Sequence, residues 1–432
     1  KISGLYTMEN AEKIKITITG IREPLHEEIG RILESYHVDL TGRDAYIKVN
    51  AVDFRKGCYT SPRIIAEAIK ALYKIGAEKV YVMENSTQGN FTRLVFKVTG
   101  IEKVVRDCGA KPIYLDEEKA VKVEIGGFRV DFPKIVYKEI VNGDSFYLSM
   151  PKLKTHDMTT VTLNLKNQFG FIYHKDRRVY HSKFDLHKFI AAIYDFIKPN
   201  FSIIDGEYAI IHGHYPLEKM FEKFAVPMGI LIASPSALAA DIVAARMLGY
   251  EVEEVNHLRI AEEKYKIAGK IEVEGEDRVR EGLQTEKFPC KPLGIYPKGV
   301  TFVKGKERAC NEGCLDNTLM VLEMLHVDYG ADGEFSIVFG KGFDREEIEN
   351  LKEPILVVGK CAAEEVGEFL KQKYKRVRIV PYCNDLAAVT DSLLKFTGLK
   401  ATDIVPISTA SLIVTRLKAK LRGSTALTPS IF

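Results

Sequence analysis

The chain has 432 residues, of which 46% are hydrophobic and 28% charged, with 62 Lys and Arg against 59 Asp and Glu and a formal net charge of +3. That composition predicts packed α/β domains and excludes a disordered chain. So small a charge excess excludes nucleic acid as the default partner. The apolar runs fall short of the ~20 residues a membrane-crossing helix needs, and no charged-then-apolar leader opens the sequence. A cytoplasmic protein with no membrane partner is therefore expected.

In chain order, K-I-K-I-T-I-T (Lys13 to Thr19) alternates with period two and predicts a half-buried strand. Pro24 then opens a helix whose apolar positions are Leu25, Ile29 and Leu33. A-Y-I-K-V-N is a strand, and the next helix reads as a Ser61 cap, Pro62 in the first turn and a stop at Gly76. K-V-Y-V-M-E-N, a helix ending V-V-R-D-C-G, and K-P-I-Y-L complete a strand–helix–strand rhythm. That rhythm predicts a doubly wound, mostly parallel sheet over residues 1–150. Such sheets bind ligands at the carboxyl ends of their strands, which directs attention to the residues after Asn50, Glu84 and Met150.

A middle subdomain, 151–285, carries a polar motif, then F-S-I-I-D-G, M-G-I-L-I-A-S and the apolar helix containing Asp241. The Pro/Gly-rich P-C-K-P-L-G-I-Y-P-K-G marks a boundary. A second, smaller α/β domain over 300–425 then repeats the rhythm with F-S-I-V-F-G, P-I-L-V-V-G and V-R-I-V-P-Y, and the residues after Gly423 read as a loosely held tail. Trp is absent and Gln occurs only at 88, 168, 284 and 372, a bias that fits a thermophile.

Ser149 to Gly170, S-M-P-K-L-K-T-H-D-M-T-T-V-T-L-N-L-K-N-Q-F-G, is the most unusual segment. Lys152, Lys154 and His156 alternate and would share one face of an extended chain. Thr155, further threonines, Lys166 and Asn167 follow. Cationic and hydroxyl groups together at a strand end suit a phosphate or carboxylate ligand. A desolvated lysine among other cations can also act as base or nucleophile. Asp205 and the His212-x-His214 loop are further candidates, the histidines for a metal. Asp241 inside an apolar helix needs a partner or a ligand. Residues 83–90, M-E-N-S-T-Q-G-N, form a generic anion loop.

The seven cysteines are odd in number and predict reduced thiols rather than a disulfide framework. Cys310 and Cys314 are four apart, while Cys361 and Cys383 each follow a predicted strand. If those strands are parallel neighbours, four thiols converge and hold a [4Fe–4S] cluster or a zinc ion. Cys58, beside Arg55, is either an activated thiol or an inert one.

The segment P-K-L-K-T-H-D-M-T-T-V-T-L-N-L-K-N-Q-F-G resembles the signature of the family catalogued as domain of unknown function 362. The resemblance spans about residues 40–275 and includes I-K-V-N-A near Lys48, I-I-D-G-E at Asp205, I-L-I-A-S-P-S-A-L-A-A-D at Asp241, and M-L-G with H-L at His257. Many relatives carry closely spaced ferredoxin-like cysteines; this chain lacks that run, so a two-cluster electron-transfer role is not implied. A more distant similarity, to the nickel-pincer lactate racemase family, aligns His156, Lys166 and His181 in a comparable arrangement, with Asp53 and Arg55 on a nearby loop. The Asp–Arg spacing is shorter than in that family, and Thr and Asn replace its glycine-rich stretch. That similarity implies a shared fold and pocket location, with nickel as a further metal alternative.

Together these readings predict an enzyme for an anionic small molecule, racemase-like or redox in chemistry. Lys166, His156 and His181 would be catalytic, and Asp53, Arg55, Lys152, Lys154, Thr155, Asn167 and Asp205 would bind the ligand. Cys310, Cys314, Cys361 and Cys383 would hold the cluster. The alternative is a non-catalytic iron–sulfur or metal carrier or sensor.

Overall fold

The computed structural model describes residues 12–183, 186–275 and 286–429, with the side chains of 181–183 and of residue 312 also outside the description. Twelve strands come first: β1 (Ile14–Gly20), β2 (Ala45–Val49), β3 (Val80–Glu84), β4 (Lys111–Tyr114), β5 (Ala120–Ile125), β6 (Phe128–Pro133), β7 (Phe146–Met150), β8 (Lys152–His156), β9 (Thr160–Val161), β10 (Phe201–Ile210), β11 (Ala225–Ser234) and β12 (Ile271–Gly275). Ten of them form one sheet in the order β12-β1-β11-β10-β7-β2-β3-β4, with β8 paired to β10 and β9. From β10 to β4 the pairs are parallel, whereas β11 runs antiparallel to both β1 and β10. The sheet thus continues across residue 150, and the strands on either side of that point share hydrogen bonds. β5 and β6 form a separate antiparallel hairpin.

Both faces of this sheet are covered, as parallel strands require. Ile47, Val82 and Leu148 pack under the helices Leu25–Ser35, Pro62–Lys74 and Ile101–Asp107, while Tyr46, Met83 and Tyr147 point into a second core beneath Leu186–Phe196, Ala237–Met247 and Asn256–Tyr265. Ser61 does not cap its helix through its side chain; its backbone N–H instead donates to Asp205 Oδ2 at 2.8 Å.

The C-terminal region builds its own sheet from β13 (Val300–Lys304), β14 (Phe335–Phe339), β15 (Ile355–Val358) and β16 (Val377–Val380), parallel throughout. The alternation of Phe335, Ile337 and Phe339 with Val338 splits its core between two faces. The segment after Gly423 is not loosely held. Ser424 Oγ donates to Asp116 Oδ2 at 2.6 Å, Leu427 N–H donates to His174 Nδ1 at 3.0 Å, and Leu427 O accepts from Gly89 N–H. Among the described residues no helix is long and apolar enough to cross a membrane.

Candidate functional site

A cleft of about 720 Å³, open solvent included, lies at the carboxyl ends of β2, β3 and β7. Its lining draws Lys48, Asn50, Glu84, Asn85 and Gln88 from the first two strand ends, and Lys154, His156, Lys166 and Asn167 from the polar motif. Asn317 and Asn384 of the C-terminal region close it.

The lysines of this region divide by partner. Lys48 is fully buried and pairs with Glu84 at 2.5 Å, donating also to Asn167 Oδ1 at 3.1 Å. Burial pulls its pKa below the ordinary lysine value against the opposing Glu84 charge. Gly170 makes room for this pair, because a Cβ there would sit 2.8 Å from Lys48 Nζ and 2.9 Å from Glu84 Oε1. Lys152 pairs with Asp205 at 2.8 Å, and Asp205 also accepts from the Ser61 and Glu207 amides. These two residues tie β8 to β10 and do not line the cleft. Thr155 likewise serves the backbone: its Oγ1 donates to Pro289 O at 3.1 Å and accepts from Gly213 N–H at 3.1 Å.

Among the described residues Lys154 and Lys166 make no ion pair; Lys154 is buried and Lys166 half-buried. Lys154 Nζ donates to Cys58 O at 3.3 Å, and burial lowers its pKa to about 8. Lys166 is lowered to about 7, first by burial and then by the Arg177 charge. Its Nζ lies 3.4 Å from His156 Nε2. The Met158 N–H donates to His156 Nδ1 at 3.1 Å, so the neutral ring carries its proton on Nε2 and directs it at Lys166. Only an uncharged amine can accept there, which agrees with the lowered pKa. Arg177 spends its guanidinium on the carbonyls of Ile172, Ser86, Asn85 and Gly170, fixing the loop while adding positive charge to the cleft. Burial lowers it too, to about 10.

The short helix Leu163–Asn167 that carries Lys166 is anchored by Asp241. Its carboxylate accepts from the Asn164 and Leu165 amides and from Asn164 Nδ2, each at 2.8 Å. The acid in the apolar helix therefore has partners and does not face the cleft. Burial nevertheless pushes its pKa up to about 7.

Behind the cleft, Asp157 Oδ1 lies 2.5 Å from His214 Nδ1 and 3.3 Å from His156 Nδ1, and the two imidazoles stack 3.9 Å apart. Among the described residues this is the one set of three His, Cys, Asp or Glu groups whose ligand atoms all fall within 4.8 Å of one another. Burial acts to raise Asp157, but the His214 ring outweighs it and holds the carboxyl low, while burial keeps His214 below its ordinary value. Asp157, His214 and His156 are donor types a metal ion takes, but His156 Nδ1 already accepts from the Met158 N–H, so a cation there would have to displace that bond. The His212-x-His214 pairing expected from sequence does not form, since His212 Nδ1 instead lies 3.2 Å from Lys291 O. His181 belongs to the helix His174–Lys183, and its side chain lies outside the described residues.

Asp53 and Arg55 line a neighbouring, more apolar cavity bounded by Phe54, Phe91, Leu94 and Met324. Arg55 reaches Asp328 at 2.7 Å and Tyr329 OH at 2.9 Å, bracing the N-terminal sheet against the helix Asp316–Tyr329. The two cavities share Gln88 and Leu386. Cys58 is completely buried, its thiol raised by burial and 3.2 Å from His214 O, which leaves it inert.

The four C-terminal cysteines are brought together. Cys361 and Cys383 follow the adjacent parallel strands β15 and β16, which pair at Val358 and Val380. The Cys314 thiol is raised to about 12, first by burial and then by the thiols of Cys383, Cys310 and Cys361. Gly359 is the cradle: a Cβ there would lie 3.0 Å from Cys314 Sγ and 4.0 Å from Cys383 Sγ, and its φ of +95° suits glycine alone. Cys361 is the second residue of the helix Lys360–Lys373, and the helices Asp316–Tyr329 and Leu386–Thr397 begin just after Cys314 and Cys383. Their N-terminal dipoles favour thiolate. Arg308 Nε donates to Cys310 Sγ at 3.0 Å. This group borders the cleft, because Asn384 follows Cys383 and hydrogen-bonds Asn317, three residues after Cys314, at 2.6 Å.

Sequence reasoning placed Glu84, Asn85 and Gln88 in the 83–90 anion loop and His214 among the metal candidates, but missed Lys48, Asn317 and Asn384 as lining residues. Lys48 was accessible through the rule that ligands sit at strand ends; the two C-terminal asparagines, far away in the chain, had no local signal.

Among curated proteins none matches the chain. The crystal structure of a protein from Thermotoga maritima is similar over 85% of this chain and 82% of that one, at 13% identity and a TM-score of 0.34. Residues 46–246 match the family described as Domain of unknown function (DUF362), and the chain carries a domain of that family.

Proposed function

We propose that this DUF362-bearing chain is an enzyme that binds an anionic small molecule in the lysine-lined cleft and uses Lys166, set against His156, as base or nucleophile. The observation that carries the reading is the Lys166–His156 contact. A half-buried amine at about 7, facing an imidazole N–H, is a group poised to take and return a proton near neutral pH. Lys154 and Arg177 supply the charge that holds an anion, and Asp241 fixes the helix from which Lys166 projects.

We further propose that Cys310, Cys314, Cys361 and Cys383 hold a [4Fe–4S] cluster. The Gly359 cradle and the three helix N-termini support it. Zinc fits less well. Zn–S bonds of about 2.3 Å bring tetrahedral sulfurs to about 3.8 Å of one another, whereas among the described residues no three of these thiols lie mutually within 4.8 Å. The cluster would supply redox or Lewis-acid chemistry at the wall formed by Asn317 and Asn384. A non-catalytic carrier would leave the tuned Lys166 without a task.

The test is pH-dependent amine labelling read by mass spectrometry. Lys166 should label half-maximally near pH 7, whereas surface lysines should do so near their ordinary value of about 10.4. A Lys166 that labels only above pH 9 overturns the catalytic reading. Anaerobic purification with elemental analysis tests the cluster: about four iron atoms per chain and absorbance near 400 nm support it, and zinc or nickel alone overturns it.

A further inference from the structure

Among the amide side chains that line the cleft are Asn50, Asn85 and Gln88, each 3% exposed or less. The side-chain oxygen of every one of them lacks a hydrogen-bond donor among the described residues. For two of the three the amide orientation is fixed. Asn85 Nδ2 donates to Ile172 O at 3.1 Å, and Gln88 Nε2 donates to Asn384 O at 3.1 Å. Turning either amide over would set oxygen against oxygen. The wall of the cleft therefore holds unpartnered acceptors beside its cations, and a buried acceptor left unmet is costly. A plain anion satisfies the lysines and leaves these oxygens unmet. Only a ligand that also donates hydrogen bonds satisfies both sets.

The charges narrow the class further. Glu84 is the one carboxylate lining the cleft, and it is held by Lys48. Among the described residues, Lys154 and Arg177 are the lining cations with no carboxylate hydrogen bond or ion pair. That balance suits two negative charges better than one.

We propose that the ligand of the cleft is a hydroxylated phosphate monoester, its phosphate held by Lys154 and the charge of Arg177 and its hydroxyls donating to Asn85 Oδ1 and Gln88 Oε1. This rests on the anion reading above and adds the substrate class. The experiment is calorimetric titration of the intact chain with four probes: glycerol 3-phosphate, propyl phosphate, inorganic phosphate and glycerate. Glycerol 3-phosphate should bind at least about tenfold more tightly than propyl phosphate, since the latter strands two buried acceptors. In Gln88→Met and Asn85→Leu that ratio should fall toward one while propyl phosphate affinity holds.

Equal binding of the two esters by the unaltered chain overturns the hydroxyl assignment and leaves the anion reading standing. Tighter binding of glycerate than of glycerol 3-phosphate overturns the assignment of a dianion. Failure of all four probes to bind overturns the anion reading and this one with it. The comparison on the unaltered chain decides the matter even if a variant does not fold.

Discussion

The two parallel sheets solve the same problem in opposite ways. Both gather polar groups at the carboxyl ends of their strands, as open α/β sheets do. In the small sheet β15 feeds directly into a helix and β16 reaches one within a few residues, so the thiols of Cys361 and Cys383 meet helix N-termini and a positive field built from backbone. In the large sheet β7 runs into another strand, β8. Positive charge there comes from lysine side chains, and burial rather than a dipole sets their protonation. One end sets backbone dipoles against thiols; the other keeps an amine neutral until a proton arrives.

The sharpest break of this comparison is on the thiol side. Cys314→Ser should reduce iron from about four atoms per chain to near zero, measured on anaerobically purified protein, while ligand titrations at the cleft still give a signal. Iron unchanged in that variant would remove the cluster from the account.

On the cation side the largest effect is a pH-dependent one. The folded pKa of Lys166, about 7, is depressed below its unfolded value near 10.5, so folding favours the neutral amine. Its contribution is most favourable above pH 10 and is lost as pH falls toward 7. Lys166→Met should therefore raise stability at and below pH 7 by up to about 5 kcal/mol. The gain should shrink to nothing above about pH 11 in denaturant titrations. A gain that does not vary with pH would mean that Lys166 is charged in the fold.

Asp241→Ala comes next. It strands the three donors that hold the Lys166 helix and should cost about 3 kcal/mol in the same titrations. It should also shift the Lys166 labelling midpoint upward as the helix loosens. Arg308→Ala is the smallest change: Arg308 is exposed and touches Cys310 from outside, so stability should move by less than ~0.5 kcal/mol and iron content should hold.

Much of the framework was legible from residue pattern. The period-two run at β1, the strand at β2, the Pro24 and Pro62 helix entries, and the three apolar strands after residue 330 all form where residue pattern and turn residues put them. The polar motif was visible because so many Lys, Thr, His and Asn side chains in one stretch have no reason to cluster on a solvated surface alone. What alternation could not decide was which of its lysines stays without an acid. Lys152, Lys154 and His156 occupy alternate positions of β8, but the β8–β10 ladder shifts register between Asp205 and Ile210. Lys152 thereby meets Asp205, and Lys154 meets only a carbonyl. Asp53 and Arg55, close to Asn50 in sequence, turned to the adjoining cavity because Arg55 found Asp328 more than 270 residues away.

The sequence by itself therefore determined the elements, the strand ends where polar groups collect, and the chemical character of each cluster, since periodicity, capping residues and side-chain type are local properties. Tertiary structure alone decided the rest: that Lys166 faces a ring nitrogen of His156, that two asparagines from the C-terminal region wall the cleft, and that the thiols of Cys314 and Cys383 meet at Gly359. Protonation and ligand fit depend on desolvation and on partners far apart in the chain, and neither quantity exists until the chain is packed.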